Sequence, residues 1–124
     1  MHVEIIIHPE FIAGIVRGTF SMADAKAGLE SIAESCRTHG RNKVLLDGRG
    51  LEGGFGLADR FAVGQFLAST LPQGTRIASL SNTPIHMESR VLENTANNRG
   101  ALLHTTDDAA DAAQFLGIDV KDIG

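Results

Sequence analysis

Apolar residues in this chain fall into two alternating spacings, one of strands and one of helices. Residues 3–8, Val-Glu-Ile-Ile-Ile-His, are rich in β-branched side chains and stop at Pro9-Glu10. Residues 11–19, Phe-Ile-Ala-Gly-Ile-Val-Arg-Gly-Thr, resume the pattern. Two such runs around a short proline-containing turn predict a β-hairpin. Ser21 then offers an N-cap with Asp24 three residues on, a variant of the capping box. Ala25, Leu29, Ile32, Ala33 and Cys36 follow at the spacing of one helical face, and Gly40 ends the helix.

Residues 43–47, Lys-Val-Leu-Leu-Asp, are short and nearly all apolar, as a strand buried on both faces requires. A glycine-rich stretch, read as a loop, runs from there to Gly56. Residues 57–71 have helix length, with Leu57, Phe61, Phe66 and Leu67 as bulk, and Pro72-Gln73-Gly74 breaks them. Residues 75–81 predict a fourth strand. Thr83 as N-cap and Pro84 at the first helical position open a helix to about Asn98. Residues 101–105 predict a last strand, and Thr105 with Asp108 forms a capping box for a helix stopped by Gly117. The order ββαβαβαβα predicts one α/β domain over residues 1–124. Its sheet is a single mixed, mainly parallel layer opened by the N-terminal β-hairpin, and four helices connect it through right-handed crossovers.

Composition narrows the function. The chain has 124 residues, 43% of them hydrophobic, which suffices for a core without metal or disulfide staples. Cys36 is the only cysteine, so no internal disulfide forms. Lys plus Arg number 11 against 15 acids, there is no Trp or Tyr, and the arginines are scattered. Nucleic-acid binding needs a basic surface and, for single strands, stacking rings, so it is not expected. Eight of the eleven cations are arginine, which leaves room for a local anion pocket. No apolar run reaches the ~18–20 residues of a membrane span. Glu4 and Pro9 argue against a signal peptide, so a reduced, cytoplasmic protein is expected.

Open α/β sheets bind ligands beyond the carboxyl ends of their strands, here residues 47–56, 81–86 and 105–108. Gly48-Arg49-Gly50-Leu51-Glu52-Gly53 matches G-x-G-x-x-G after a strand. The helix signal begins only near Gly56, and the next strand ends in Ser81-Asn82 with no acid for a ribose, so a plain turning loop is favoured. Asp47 and His86 are the acid/base candidates, with Ser81, Glu88 and Arg90 nearby in sequence. No G-x-S-x-G elbow presents a serine, and Asp47 has the simpler role of capping amides or pairing with Arg49. Histidines at 2, 8, 39, 86 and 104 have no i,i+4 pairing, and Asp107, Asp108 and Asp111 suit a helix first turn, so no metal is expected. His8 and His104 are expected at strand ends on the surface, and Cys36 in the core rather than as a reactive thiol. No cofactor is expected.

The element order resembles the STAS fold, the SpoIIAA-like group of anti-sigma-factor antagonists, particularly its small single-domain bacterial members. The residues that carry the resemblance are the opening hairpin and first helix, Lys-Val-Leu-Leu-Asp at 43–47 and Arg-Ile-Ala at 76–78. Arg90 and Glu93 in their helix and the ending at 107–116 with Phe115-Leu116 continue it. The resemblance implies a non-enzymatic protein that docks onto partners, with a Ser or Thr at the start of the second helix phosphorylated to break docking. After Asp47 there is no hydroxyl before Ser69, so the phosphoswitch is not carried over. Relatives with this fold that bind lipids or small molecules in an apolar cleft imply a ligand site instead.

The expected binding edge comprises the glycine-rich stretch at 48–56 and the helix starts at 56–60 and 83–86. Arg49 and Arg60 offer anion contacts, Phe55 an apolar anchor, and Gly56, Asn82 and His86 the surrounding edge. The plainer reading packs Phe55 under its own loop and leaves both arginines solvated. The expectation is a non-catalytic regulatory or binding domain, a homodimer, taking a protein partner or a small apolar or anionic ligand. An enzyme using Asp47 and His86 on an anionic substrate held by Arg49 or Arg90 is the alternative. A nucleotide binder at the helix start near Gly56 is a third reading.

Overall fold

The computed structural model describes residues 1–82 and 87–124, with Met87, Glu88 and Ser89 described by backbone alone. The two opening runs form β1 (His2–Ile7) and β2 (Ile12–Thr19), paired antiparallel from His2 opposite Arg17 to Ile7 opposite Ile12. Their turn is closed by the His8 N–H donating to the Phe11 carbonyl at 2.9 Å. The His8 ring stacks on Phe11, with centroids 4.2 Å apart. α1 (Met22–His39) begins at Ser21, whose hydroxyl accepts from the Asp24 N–H. It ends at Gly40, whose φ of 65° is the left-handed cap that glycine adopts without a Cβ penalty. There follow β3 (Lys43–Gly53), α2 (Leu57–Thr70), β4 (Arg76–Leu80), α3 (Met87–Asn98), β5 (Leu102–Thr106), α4 (Ala109–Leu116) and a 3₁₀ turn at Val120–Asp122.

The strands lie side by side in chain order, β1-β2-β3-β4-β5, with the first pair antiparallel and the rest parallel. This is an α/β fold with a five-stranded mixed sheet and four helices. Crossovers of one hand to successive neighbours put α1, α2 and α3 on one sheet face. There Ile12, Val44, Ile77 and Leu103 pack against Ile32, Leu67 and Ala96. The alternate residues Ala13, Leu45, Ala78 and Leu80 face the other way, onto Ala112, Ala113 and Leu116 of α4. Burial on both faces is why these strands read as nearly continuous apolar runs.

The glycine-rich stretch is not the expected loop. β3 continues to Gly53, its added length pairing with β2 at Arg17–Gly50, Gly18–Leu51 and Thr19–Gly53, across two register shifts. Gly50 lies so close to β2 that a Cβ there would sit 2.9 Å from the Val16 carbonyl oxygen. Glycine serves here for close backbone approach at an irregular pairing, a use that sequence alone does not separate from a flexible turn. Only residues 54–56 connect β3 to α2.

Two boundaries also differ. β5 runs on to Thr106, whose hydroxyl accepts from the Asp108 N–H, while Asp108 caps α4 through the Ala110 N–H. Thr105, expected to share that cap, instead turns to α3. The expected start of α3 at Thr83 and Pro84 lies outside the described residues. Among the described residues, no helix is long and apolar enough to cross a membrane.

Candidate functional site

The carboxyl ends of β3 and β4 deliver the sequence-predicted residues to two different faces of the sheet. Asp47 pairs in register with Leu80, a residue of the α4-side core, so both belong to that face. Arg49 lies two residues on along the same strand, where side chains share a face. Its Nε donates to Asp47 Oδ1 at 2.9 Å and its Nη2 to Oδ2 at 2.7 Å. The Arg49 backbone N–H adds a third contact to Oδ1 at 3.2 Å. Asp47 is 6% exposed, and this bidentate pairing compensates its buried charge. The hydrogen bond to Asp47 in turn raises the Arg49 pKa above its ordinary value. Asn82 closes the junction, its Nδ2 donating to the Arg49 carbonyl at 2.6 Å. Neither Asp47 nor Arg49 lines a cavity on the opposite face. His86 lies outside the described residues, and with it the Asp47–His86 pair of the alternative enzyme reading.

On the helix-covered face, Leu46 and Ser79 pair in register and line an apolar cavity of about 110 Å³ between the hairpin, α1 and the sheet. Val3, Val16, Phe20 and Leu29 supply more of its wall. Small residues make room: Gly28 of α1 faces Val3 so closely that a Cβ would lie 3.1 Å from a Val3 methyl. The Phe20 N–H donates to the Gly53 carbonyl at 2.9 Å, which brings its ring beside Phe55, 4.7 Å between centroids. Phe20 was not singled out from the sequence. Its signal was its place directly before the Ser21 cap, where an apolar residue commonly packs back on the helix.

A second, more polar cavity of about 300 Å³ adjoins the first at the carboxyl edge. Glu52, Arg60, Ser81, Asn82 and Thr105 lie around it, and Gly48, Leu51, Phe55, Ser79 and Leu92 line both cavities. The Arg60 guanidinium lies over the Phe55 ring, 4.5 Å from its centroid. Among the described residues it meets no carboxylate, and its Nε is sealed from solvent without an acceptor. An unpartnered buried donor of this kind costs about 1–3 kcal/mol. Arg60 is therefore not the freely solvated helix residue of the plainer reading. Gly56 caps α2 without a side chain, and its N–H donates to Asp59 Oδ2 at 3.3 Å. Phe55 is half-buried, packed between Phe20 and Arg60 rather than under its own loop.

A separate polar cluster ties α3, β5 and α4 together. Glu93 is 9% exposed and its Oε1 accepts from the Thr105 N–H at 2.8 Å and the Thr105 hydroxyl at 3.3 Å. Its Oε2 accepts from Arg90 Nη1 at 3.1 Å. His104 sits mid-strand rather than at a strand end, with Nε2 2.7 Å from Asp111 Oδ2 and Nδ1 3.6 Å from Glu93 Oε1. Hydrogen bonds from His104 and then Thr106 hold the Asp111 carboxyl below its ordinary pKa. Burial pushes the Cys36 thiol up, outweighing the charge of Arg37, so it is a core residue. Among the described residues, no three His, Cys, Asp or Glu side chains gather as metal ligands.

The chain matches no family model and no curated protein. Its functional reading therefore rests on the geometry of the cavities and on the pairing of its charged groups.

Proposed function

We propose that this chain is a non-catalytic, STAS-like binding domain that acts through a small ligand held at the carboxyl edge of its sheet. The observation that carries the reading is the apolar cavity of about 110 Å³ adjoining a polar one that contains Arg60. A concave apolar wall with a few convergent polar groups is the usual form of a small-molecule site. The enzyme alternative is less well supported, because Arg49 occupies both oxygens of Asp47 and Arg90 is engaged by Glu93. Asp47 is also only 6% exposed, and a general base must lie within hydrogen-bond reach of the substrate proton it takes.

Thermal unfolding against a panel of small acids, lipids, phosphates and nucleotides tests this reading, since a ligand selective for the native state raises the Tm. At least one compound with an apolar part is expected to raise it. Ala25→Leu, which fills the cavity from α1, is expected to keep the fold and abolish that rise. Absence of a shift with every compound overturns the small-ligand reading.

Protein docking by a homodimer is the second reading, favoured by Leu57 and Phe61. They stand one turn apart on α2, 56% and 48% exposed, a larger apolar display than a single scattered residue makes. Sizing chromatography of the wild type and of Phe61→Gln separates the two. A dimer that the substitution dissociates supports docking, and a monomer in both removes it.

A further inference from the structure

We infer that the ligand of this site is a small branched-chain monocarboxylate, its carboxylate held by Arg60 and its alkyl group seated in the apolar cavity. The inference rests on the small-ligand reading above and adds the chemistry of what is bound. Size comes from the cavity. An apolar void of roughly 150 Å³ accommodates one benzene ring, so about 110 Å³ takes about four carbons before the polar cavity begins. The wall sets polarity, because Val16, Phe20, Leu29 and Leu46 offer nothing for a hydroxyl or amine to bond and Ser79 adds a single hydroxyl among the described residues.

Charge comes from the mouth. Arg60 contributes a planar donor fork that no carboxylate among the described residues uses, and its Nε lacks an acceptor. Arg49 and Arg90, two further candidate anion contacts, are taken by Asp47 and Glu93. Phe55 lies beneath the Arg60 guanidinium and lines both cavities, which puts the charged and apolar parts of one small molecule within reach of each other. Glu52 lines the same mouth as Arg60. Among the described residues, one unpaired cation beside an acid suits a single negative charge and disfavours a dianion such as a phosphate monoester.

The test uses the full chain and four probes: 3-methylbutanoate, its uncharged counterpart 3-methylbutanamide, octanoate and isobutyl phosphate. Titration followed by Tm and by calorimetry is expected to show 3-methylbutanoate binding at least tenfold more tightly than each of the others. In Arg60→Gln the acid and the amide are expected to bind equally. Equal affinity of the wild type for 3-methylbutanoate and 3-methylbutanamide overturns the anion inference while the small-ligand reading survives. Tighter binding of octanoate overturns the size, and tighter binding of isobutyl phosphate overturns the single charge. No binding by any of the four, with a response elsewhere in the wider panel, overturns the inference alone. The wild-type comparison needs no variant, so it stands even if Arg60→Gln fails to fold.

Discussion

The guanidinium of Arg49 holds both oxygens of Asp47 from two residues along the same strand, at 2.9 and 2.7 Å. Asp47, read from the sequence as an acid/base candidate or more simply as a partner of Arg49, makes that pairing on the α4 side of the sheet. Removing its partner leaves it buried and uncompensated. Arg49→Ala is expected to lower stability by about 2 kcal/mol, below the ~3–5 kcal/mol of a fully buried pair because the Arg49 side chain is 33% exposed. The double variant Asp47→Asn/Arg49→Ala is expected to regain part of that loss. Urea unfolding of the two singles and the double measures it, and additive losses would show that the pair is not coupled.

Gly50 decides whether β3 ends at Asp47 or runs to Gly53. A Cβ at this position would meet the Val16 carbonyl at 2.9 Å and the Arg17 Cγ at 3.0 Å. Gly50→Val is expected to cost about 1–3 kcal/mol by forcing β2 and β3 apart. In the wild type, amide hydrogen exchange should be slow through Leu51, and in the variant it should quicken there while staying slow at Leu45. Fast exchange from Gly48 onward in the wild type would mean the extension is not held.

Glu93 clamps α3 to the edge strand β5 through the Thr105 N–H and hydroxyl. Glu93→Ala strips a buried backbone donor of its acceptor and is expected to cost about 3 kcal/mol. For a chain of this length that is a fall of about 12 °C in Tm. Arg90→Ala should cost less than about 1 kcal/mol, because the Arg90 side chain is 55% exposed. Equal losses from both would contradict the assignment of the clamp to Thr105.

Asp111 gives the acid limb a definite sign. His104 and Thr106 hold its folded pKa below the ordinary value. Its stabilisation is therefore complete above the ordinary carboxylate range and is lost as pH falls through the lowered folded value. With the Asp111 side chain 45% exposed, Asp111→Asn is expected to cost about 0.5 kcal/mol near neutral pH. Urea midpoints of wild type and variant should converge as the solution is acidified below that range. A gap that persists or widens below that range would reverse the sign.

Much of the fold was legible because its signals are short-range. Ser21 and Gly40 bound α1, and the spacing of Leu29, Ile32, Ala33 and Cys36 marked its buried face. The site was legible only in outline. Phe55 and Arg60 stood out as an aromatic and a cation near the carboxyl edge. Their stacking, and the assignment of Arg49 to the other face, depend on the alternation of β3 and on where α2 begins. His104 was misplaced because a strand-end histidine and an edge-strand histidine facing α4 have the same local sequence. Only Asp111, seven residues on, distinguishes them.

The sequence by itself determined the order of elements, the Ser21 and Gly40 caps of α1, the Gly117 stop of α4 and the two apolar faces that a parallel sheet requires. Each of these is set by residues within a few positions of one another, through dihedral preference, capping hydrogen bonds and periodic burial. The tertiary structure decided what the glycines between 48 and 53 do, because strand or loop turned on whether β2 lay so close that a Cβ on Gly50 would meet the Val16 carbonyl oxygen at 2.9 Å. It also decided that Phe20 and Val3 join Phe55 around one cavity, and that Arg60 faces it without a carboxylate partner among the described residues. Those contacts join elements far apart in the chain, and no local preference encodes them.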